Sequence, residues 1–378
     1  MMNGKIIALA AVAVIVVAGL GTGIWALSNS DNGSDAIQIV DGSGRTITSE
    51  EPLSKVFTVG NNSPTAMRLL GLNGSVVGAS STTDSSVAMV QSVLGGQATV
   101  WKSSASNLST ETVLMTDADA VICPVKSMTM SADQQTALER AGVLVIRLDC
   151  NGDSMFDDLR KLMVLFGDTE EVHAAFDAYN TYYQDVVSAA LSAAESSTEE
   201  VTGDFMACLV ASGWAYNEVS AFGGLIERFG ITNVLKGKGF DTSGVGNSYT
   251  TDGFREVVDP SDVDYILLRS DKGLDAVYTM ITDSSVEYME CESTSAYIND
   301  RMYYLHSDIC SGAYGCVAYL ILYKILFGGE VEGFSEDAVI DHINRLMGTP
   351  VIADGTVLCA WYGSSDTSGT VLVTYDAP

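Results

Sequence analysis

From residue 37 onward the chain alternates short apolar runs with segments of helical spacing. Ile37 and Ile39 alternate with polar neighbours, as do Thr46 and Thr48 with Ile47. Asp41-Gly-Ser-Gly44 lies between them, so the pattern predicts a hairpin whose glycines supply the positive φ of its turn. A phosphate cradle would need those glycines to lead straight into a helix, and here they lead into a strand. Strands are then predicted over Lys55–Gly60, Ser75–Ala79, Ala118–Cys123 and Val143–Leu148. Helices are predicted from Asn61-Asn-Ser-Pro64 through Leu70, over Leu108–Met115 and over Ser131–Ala141. Such alternation implies a parallel sheet covered on both faces.

Ser154–Phe166 is helical in pattern, and a longer helix follows from Thr169 to Ala194 with Asp168 placed to cap it. Val172, Phe176, Tyr179, Tyr183, Val186 and Ala190 keep helical spacing along it. At roughly 1.5 Å per residue this rod is ~39 Å long, enough to run from one domain to another. The pattern then restarts with strand Phe205–Ala211, helices Ala221–Phe229 and Thr251–Val258, and strand Asp264–Arg269. Strand Arg301–His306, helices Ser311–Phe327 and Glu336–Met347, and a hairpin over Gly355–Tyr375 complete the chain. Asp117 and Asp119 fall on Asp262 and Asp264 at a constant offset, each pair just before an apolar strand. With the intervening rod, this suggests two similar α/β lobes. The expected fold is therefore α/β, two Rossmann-like lobes with mainly parallel central sheets, joined by one long helix. Its expected divisions are 1–27, 28–36, 37–153, 154–197 and 198–378.

Ahead of the lobes, Ile6 to Leu27 is an almost uninterrupted apolar run behind Lys5. It is long enough for a hydrocarbon layer of about 30 Å and longer than a usual signal-peptide core. An uncleaved membrane anchor is the favoured expectation, although Ala26 and Ser28 are small enough for a cleavage site. Lys5 before the run and Asp31 and Asp35 after it would place the rest of the chain outside the cell. Residues 28–36 read as a polar tether.

Charge and composition narrow the function. With 48 Asp and Glu against 19 Lys and Arg, the net charge of -29 disfavours nucleic acid and anionic lipid surfaces as partners. Three scattered histidines and seven cysteines without close spacing offer no protein-made metal site. Cys123, Cys150, Cys208 and Cys359 sit in or beside apolar strands and are expected to be buried, with a Cys123–Cys150 disulfide as the alternative for the first two. No catalytic motif is present, and no cofactor is expected.

Several segments together carry a family resemblance that spans nearly everything after the tether. IQIVDGSGRTITSEEPLSKVFTVGNNSPTAMRLLGLNGSVVGAS resembles the opening of substrate-binding proteins of ABC importers for ferric siderophores, haem and cobalamin. LSTETVLMTDADAVI and ALERAGVLVIRLD are similar to that family's next two strand entries, and SAFGGLIERFGITNVL and DRMYYLHSD to its second-lobe motifs. The resemblance implies two lobes on a stiff helix, a ligand cleft between them, and delivery to a membrane permease with a cytoplasmic ATPase. It implies an extracytoplasmic, monomeric binding protein for a metal chelate: an iron chelate first, with cobalamin or haem as alternatives. Two departures stand out. Thr65 occupies the position where the family commonly carries a docking glutamate, and Phe229-Gly230-Ile231 stands where two glycines are usual. Thr65 supports a rival reading, a surface scaffold or adhesion protein that kept the fold without uptake.

Ligands of open α/β sheets bind at the carboxyl ends of the strands. That rule selects Asn61, Asn62, Ser81, Trp101, Lys102 and Lys126 in the first lobe, and Trp214, Tyr216 and Arg269 in the second. Tyr249 and Tyr314 are added by the resemblance. Lys102, Lys126 and Arg269 would suit an anionic chelate, unless they simply pair with the surrounding acids. Trp101, Trp214 and Tyr216 could stack on flat ligand groups or serve as ordinary packing.

Overall fold

The computed structural model describes residues 36–125, 129–199, 201–209, 214–238, 246–248, 256, 258–270, 273–282, 293–365 and 368–377. The apolar run 6–27, Lys126, Tyr249 and most of the expected helix 251–258 lie outside them. No helix among the described residues is long and apolar enough to cross a membrane.

The first lobe opens with the expected hairpin, β1 (Ile37–Val40) antiparallel to β2 (Thr46–Ser49). Its turn is tied by Asp41, whose Oδ1 accepts from the Ser43 amide at 2.9 Å, the Ser43 hydroxyl at 2.7 Å and the Arg45 amide at 3.0 Å. Five strands follow: β3 (Val56–Val59), β4 (Val76–Ser81), β5 (Thr99–Lys102), β6 (Ala120–Cys123) and β7 (Leu144–Arg147). They form one fully parallel sheet in the order β5-β4-β3-β6-β7. All four residues of β3 and of β6 are buried, as strands covered on both faces require. Helices α1 (Asn62–Leu69), α2 (Asp84–Val93), α3 (Thr110–Leu114) and α4 (Ala132–Arg140) connect them. The sequence pattern did not yield α2, since its apolar residues Val87, Met89, Val90 and Val93 are diluted by serines. Ser131 and Gln134 close a reciprocal capping box that starts α4 where the sequence places it.

Helix α5 (Met155–Leu165) leads into α6 (Glu170–Ser196), a single rod of 27 residues. Its N-cap is Thr169, whose Oγ1 accepts from the Val172 amide, and not Asp168. Asp168 has φ 53° and instead pairs with His173 at 2.8 Å. A left-handed residue lies outside the extended region that an N-cap normally takes, so the cap moves one residue on.

The second lobe holds β8 (Asp204–Leu209), β9 (Trp214–Tyr216), α7 (Ala221–Glu227), β10 (Thr232–Asn233), β11 (Gly246–Ser248), β12 (Tyr265–Ser270), α8 (Leu274–Thr282) and α9 (Ser295–Ile298). It ends with β13 (Met302–His306), α10 (Gly315–Phe327), α11 (Glu336–Met347), β14 (Val357–Tyr362) and β15 (Thr370–Thr374). The sheet runs β11-β9-β8-β12-β13-β14-β15, with the short β10 also on β8. Its centre, β8, β12 and β13, is parallel, as is the short β10 on β8, and antiparallel strands continue the sheet on both sides. Helix α10 is apolar nearly all round, with every residue from Gly315 to Leu322 buried. It packs along the rod and shares one buried apolar cluster with Phe205, Leu267 and Leu305 of this sheet, as an all-round apolar helix requires.

The internal repeat has a physical basis. Asp119 Oδ2 accepts from the Lys55 amide at 2.9 Å and the Ser54 amide at 3.0 Å, at the entry to β3. Asp264 Oδ2 accepts from the Asp204 amide at 3.1 Å, at the entry to β8. Each aspartate thus starts its own strand and fixes the start of the neighbouring one. Burial alone would raise the Asp119 carboxyl, but the Lys55 and Ser54 donors outweigh it and hold it below the ordinary carboxylate value. A carboxyl depressed by folding contributes stability above its unfolded value of about 3.9 that disappears as pH falls through the lower folded value. Asp119→Asn is therefore expected to flatten the acid limb of the urea midpoint below about pH 4, and an unchanged limb would refute this.

Candidate functional site

The carboxyl ends of both sheets face one cleft of about 1470 Å³ between the lobes, floored by the rod. In the first lobe, the switch point of strand order lies between β3 and β6, and Gly60, Asn61 and Pro124 from their ends line the cleft. Asn61 is the organiser there. Its Oδ1 accepts from Ser81 Oγ at 2.6 Å and its Nδ2 donates to Ser86 Oγ at 3.2 Å, so one amide joins β3, β4 and α2. It makes no side-chain cap bond to α1. With Thr82, Thr83 and Ser86 beside it, this wall is rich in uncharged donors and acceptors.

The segment from Asp149 to Ser154 forms the corner where the first lobe meets the floor. Cys150 has φ 48° and Gly152 φ 54°, left-handed conformations that a non-glycine residue adopts at a cost. Asp158 on α5 holds the turn: Oδ2 accepts from the Cys150 amide at 3.0 Å, the Asp149 amide at 3.1 Å and Ser154 Oγ at 3.0 Å. Its Oδ1 accepts from Lys161 Nζ at 3.2 Å. Burial pushes this carboxyl above the ordinary range, against the pull of Lys161 and the donors.

The lobes also touch across this corner. A Cβ on Gly152 would lie 2.8 Å from the Ala221 Cβ at the start of α7, and Arg228 pairs with Asp153 at 3.4 Å. At the other end, the Arg68 guanidinium on α1 donates to the Met347 carbonyl at the end of α11. Tyr179 of the rod donates to the Ala313 carbonyl at 3.0 Å. The second-lobe wall carries Tyr216, Arg269 and His306. Arg269 lies over the Tyr216 ring, 5.9 Å from its centroid, and its Nε is enclosed without a hydrogen-bond partner. Burial opposes its charge, but Tyr216, Cys310 and Asp308 more than offset it, so the guanidinium is held above its ordinary value. Burial likewise pushes the neighbouring Cys310 thiol up to about 12, and its Sγ donates to the His306 carbonyl at 3.3 Å, so it is a protonated wall group at neutral pH.

Of the residues expected from sequence, the structure brings Asn61, Asn62, Ser81, Tyr216 and Arg269 together in the cleft. Trp101 instead stacks on Phe57 at 5.6 Å, supporting the first-lobe core from its edge strand. Lys102 reaches outward to Asp84 at 2.7 Å. Tyr314 is buried behind the cleft, its hydroxyl donating to Asn344. Trp214 belongs to β9. Cys123 and Cys150 are buried and free, with no disulfide between them. Thr65 is buried too, its hydroxyl donating to the Asn61 carbonyl at 2.8 Å, so this position presents no side chain for docking. Sequence reasoning missed His306, Arg228, Arg160 and Lys161. His306 ends an expected strand, and the strand-end rule could have selected it. Arg160 and Lys161 lie on α5 and Arg228 caps the end of α7, where only tertiary packing decides which side meets the cleft.

No protein-family model and no curated protein matches the chain. Solved structures do. The chain is similar to a periplasmic heme-binding protein from Pseudomonas aeruginosa, with 16% identity, a TM-score of 0.55, and coverage of 74% of this chain and 94% of that one. Helicobacter pylori CeuE in a nickel-histidine complex gives 12% identity and a TM-score of 0.61 over 84% and 97%. An ABC-type Fe3+-hydroxamate transport protein from Saccharomonospora viridis gives 18% and 0.57 over 77% and 99%. The fold is that of the TroA-like periplasmic binding proteins, two α/β lobes on one long helix.

Proposed function

We propose that this protein is the extracytoplasmic substrate-binding component of an ABC importer, capturing an iron chelate of the ferric siderophore type. The observation that carries this reading is the interlobe cleft, built from the carboxyl ends of both sheets and floored by a rigid rod. Its volume of about 1470 Å³ exceeds the ~300–1,000 Å³ of sites for drug-sized ligands, as a bulky chelate requires. The solved relatives named for heme and Fe3+-hydroxamate support the class of ligand, and cobalamin or haem are the alternatives within it. On this reading the protein binds and delivers; it does not transform its ligand. The partner would be a membrane permease with its cytoplasmic ATPase, reached from a monomer tethered through the N-terminal run.

The test is a tryptophan-fluorescence titration of the full chain in mild detergent against ferric siderophores, cobalamin and haem, paired with thermal shift. One compound is expected to quench saturably at micromolar or lower concentration. At 100 times Kd it should add about 2.7 kcal/mol of stability. Flat titrations of folded protein with all three classes would overturn the reading.

A further inference from the structure

We propose that residues 348–356, the connection between α11 and β14, form a latch that the second lobe closes on the flank of the first, held there by Arg68, and that the cleft exchanges its ligand when this latch releases. The latch itself does not depend on the chelate-binding reading above; what it retains does.

The segment is built into the second lobe. Gly348 ends α11 with φ 65°, the Thr349 amide donates to the Asn344 carbonyl at 3.2 Å, and the Val351 amide donates to Asn344 Oδ1 at 3.4 Å. At its far end the Gly355 amide donates to the Tyr375 carbonyl at 2.8 Å and the Tyr375 amide to the Thr356 carbonyl at 2.9 Å. Ile352, between these anchors, is buried. Tied at both ends and in the middle, the segment moves with the second lobe.

Its grip on the first lobe is of another kind. Arg68, in the last turn of α1, donates through Nε to the carbonyl of Met347, the last residue of α11. This sets a cation at the carbonyl end of a helix of the other lobe, where a positive charge is favoured. A Cβ at position 348 would stand 3.0 Å from Arg68 Nη2, so glycine there also leaves the guanidinium room. Ser92 Oγ on α2 adds an exposed contact to Thr349 Oγ1 at 3.3 Å. Asn62 begins α1 at the cleft, and Arg68 lies roughly 9 Å further along the helix, so the second lobe reaches down the side of the first.

A few partly exposed polar bonds break more readily than a buried, multiply bonded segment, so motion at this flank parts 348–356 from the first lobe and leaves it on the second. Met89 and Ser92 of α2 and Val351, Ile352 and Ala353 of the segment line the cleft from opposite lobes. The seated latch therefore shuts this side of the cleft, and its release opens it. At the other flank Gly152 lies against Ala221 with no room for a side chain, and that packed corner serves as the pivot. The exposed hydroxyl pair contributes less than a charge-assisted bond, which leaves Arg68 to set how often the latch opens.

The test uses the full chain carrying Ser92→Cys and Thr349→Cys, whose side-chain separation puts two thiols within reach of one bond. Without ligand, mild oxidation should link them, as peptide mapping reads. Adding Arg68→Ala should slow the linking severalfold in a protein of unchanged melting temperature. Loss of a charge-assisted bond shifts the equilibrium about tenfold or more, taking a latch closed about nine-tenths of the time to about half or less. Failure to link, or equal rates with and without Arg68, would overturn the latch whether or not a ligand is found. Dissociation is then followed for whichever of a ferric trihydroxamate, a ferric tris-catecholate, cobalamin and haem saturates the protein. The oxidised pair variant should release it about tenfold or more slower than the same protein before oxidation, and Arg68→Ala severalfold faster than wild type. Equal release from the oxidised and unoxidised protein would overturn the latch and leave the chelate-binding reading intact. Folded protein that links as expected and binds none of the four would overturn that reading and leave the latch.

Discussion

Arg269→Ala is expected to lower affinity for an anionic chelate by about 1.5–3 kcal/mol, roughly 10- to 150-fold, while leaving the ligand-free protein as stable as before or slightly more so. The two halves of this expectation concern different atoms of one group. The Arg269 Nε is enclosed by protein with no acceptor, so truncation removes an unmet polar atom along with a contact to the Tyr216 ring. The side of the guanidinium that lines the cleft would face a ligand oxygen, and truncation then removes a charge-assisted bond. Arg269→Lys should recover only part of the loss, because an ammonium cannot reproduce the planar fork. Isothermal titration and thermal denaturation of the same samples read the two halves separately. Unchanged affinity would remove Arg269 from the site, and a large loss of ligand-free stability would make it a structural residue.

Asp158→Ala carries the largest expected cost to the fold, about 3–5 kcal/mol, the range for leaving one member of a buried ion pair alone. Lys161 would lose its carboxylate, and the Cys150 and Asp149 amides and the Ser154 hydroxyl would lose their common acceptor. Those donors belong to the turn containing the left-handed Cys150 and Gly152, so their release frees a strained corner of the cleft. Ligand affinity is expected to fall with stability, since Asp149, Asn151 and Asp153 of that corner line the cleft. Asp158→Asn is the informative comparison. Its amide oxygen can still accept from the turn, while Lys161 loses its carboxylate in both variants, so it should cost less than Asp158→Ala by roughly 1–3 kcal/mol, the contribution of the turn bonds. Equal losses for the two variants in urea unfolding would show that the turn bonds contribute little.

The two-lobe plan, the rod and most of the elements were legible before any coordinates, α2, α8, α9, β5 and the short β9, β10 and β11 excepted, because each rests on local periodicity and local caps. The Asp41-Gly-Ser-Gly44 turn, the Ser131 capping box and the helical spacing from Val172 to Ala190 are all settled by residues within a few positions of each other. Even the repeated aspartate was visible in the sequence, since Asp119 and Asp264 have one strand-starting role. The strand-end rule then selected Asn61, Ser81 and Arg269 from sequence order alone, because parallel strands must present their carboxyl ends at one edge.

What sequence could not decide is which way a side chain at such an edge points. Trp101 and Lys102 end a strand like the others, yet β5 is the outermost strand of its sheet. One therefore turns into the core against Phe57, and the other turns out to Asp84. Tyr314 lies one residue from the cleft-lining Gly315 and is turned away to Asn344. Arg160 and Lys161 reach the cleft from α5 and Arg228 from the end of α7, helices whose rotation is set by packing against partners far away in the chain. Local sequence thus determined the elements and their order, through short-range hydrogen bonding and apolar periodicity. Only the assembled sheets and rod decided the face of each side chain, because that depends on contacts between residues remote in sequence.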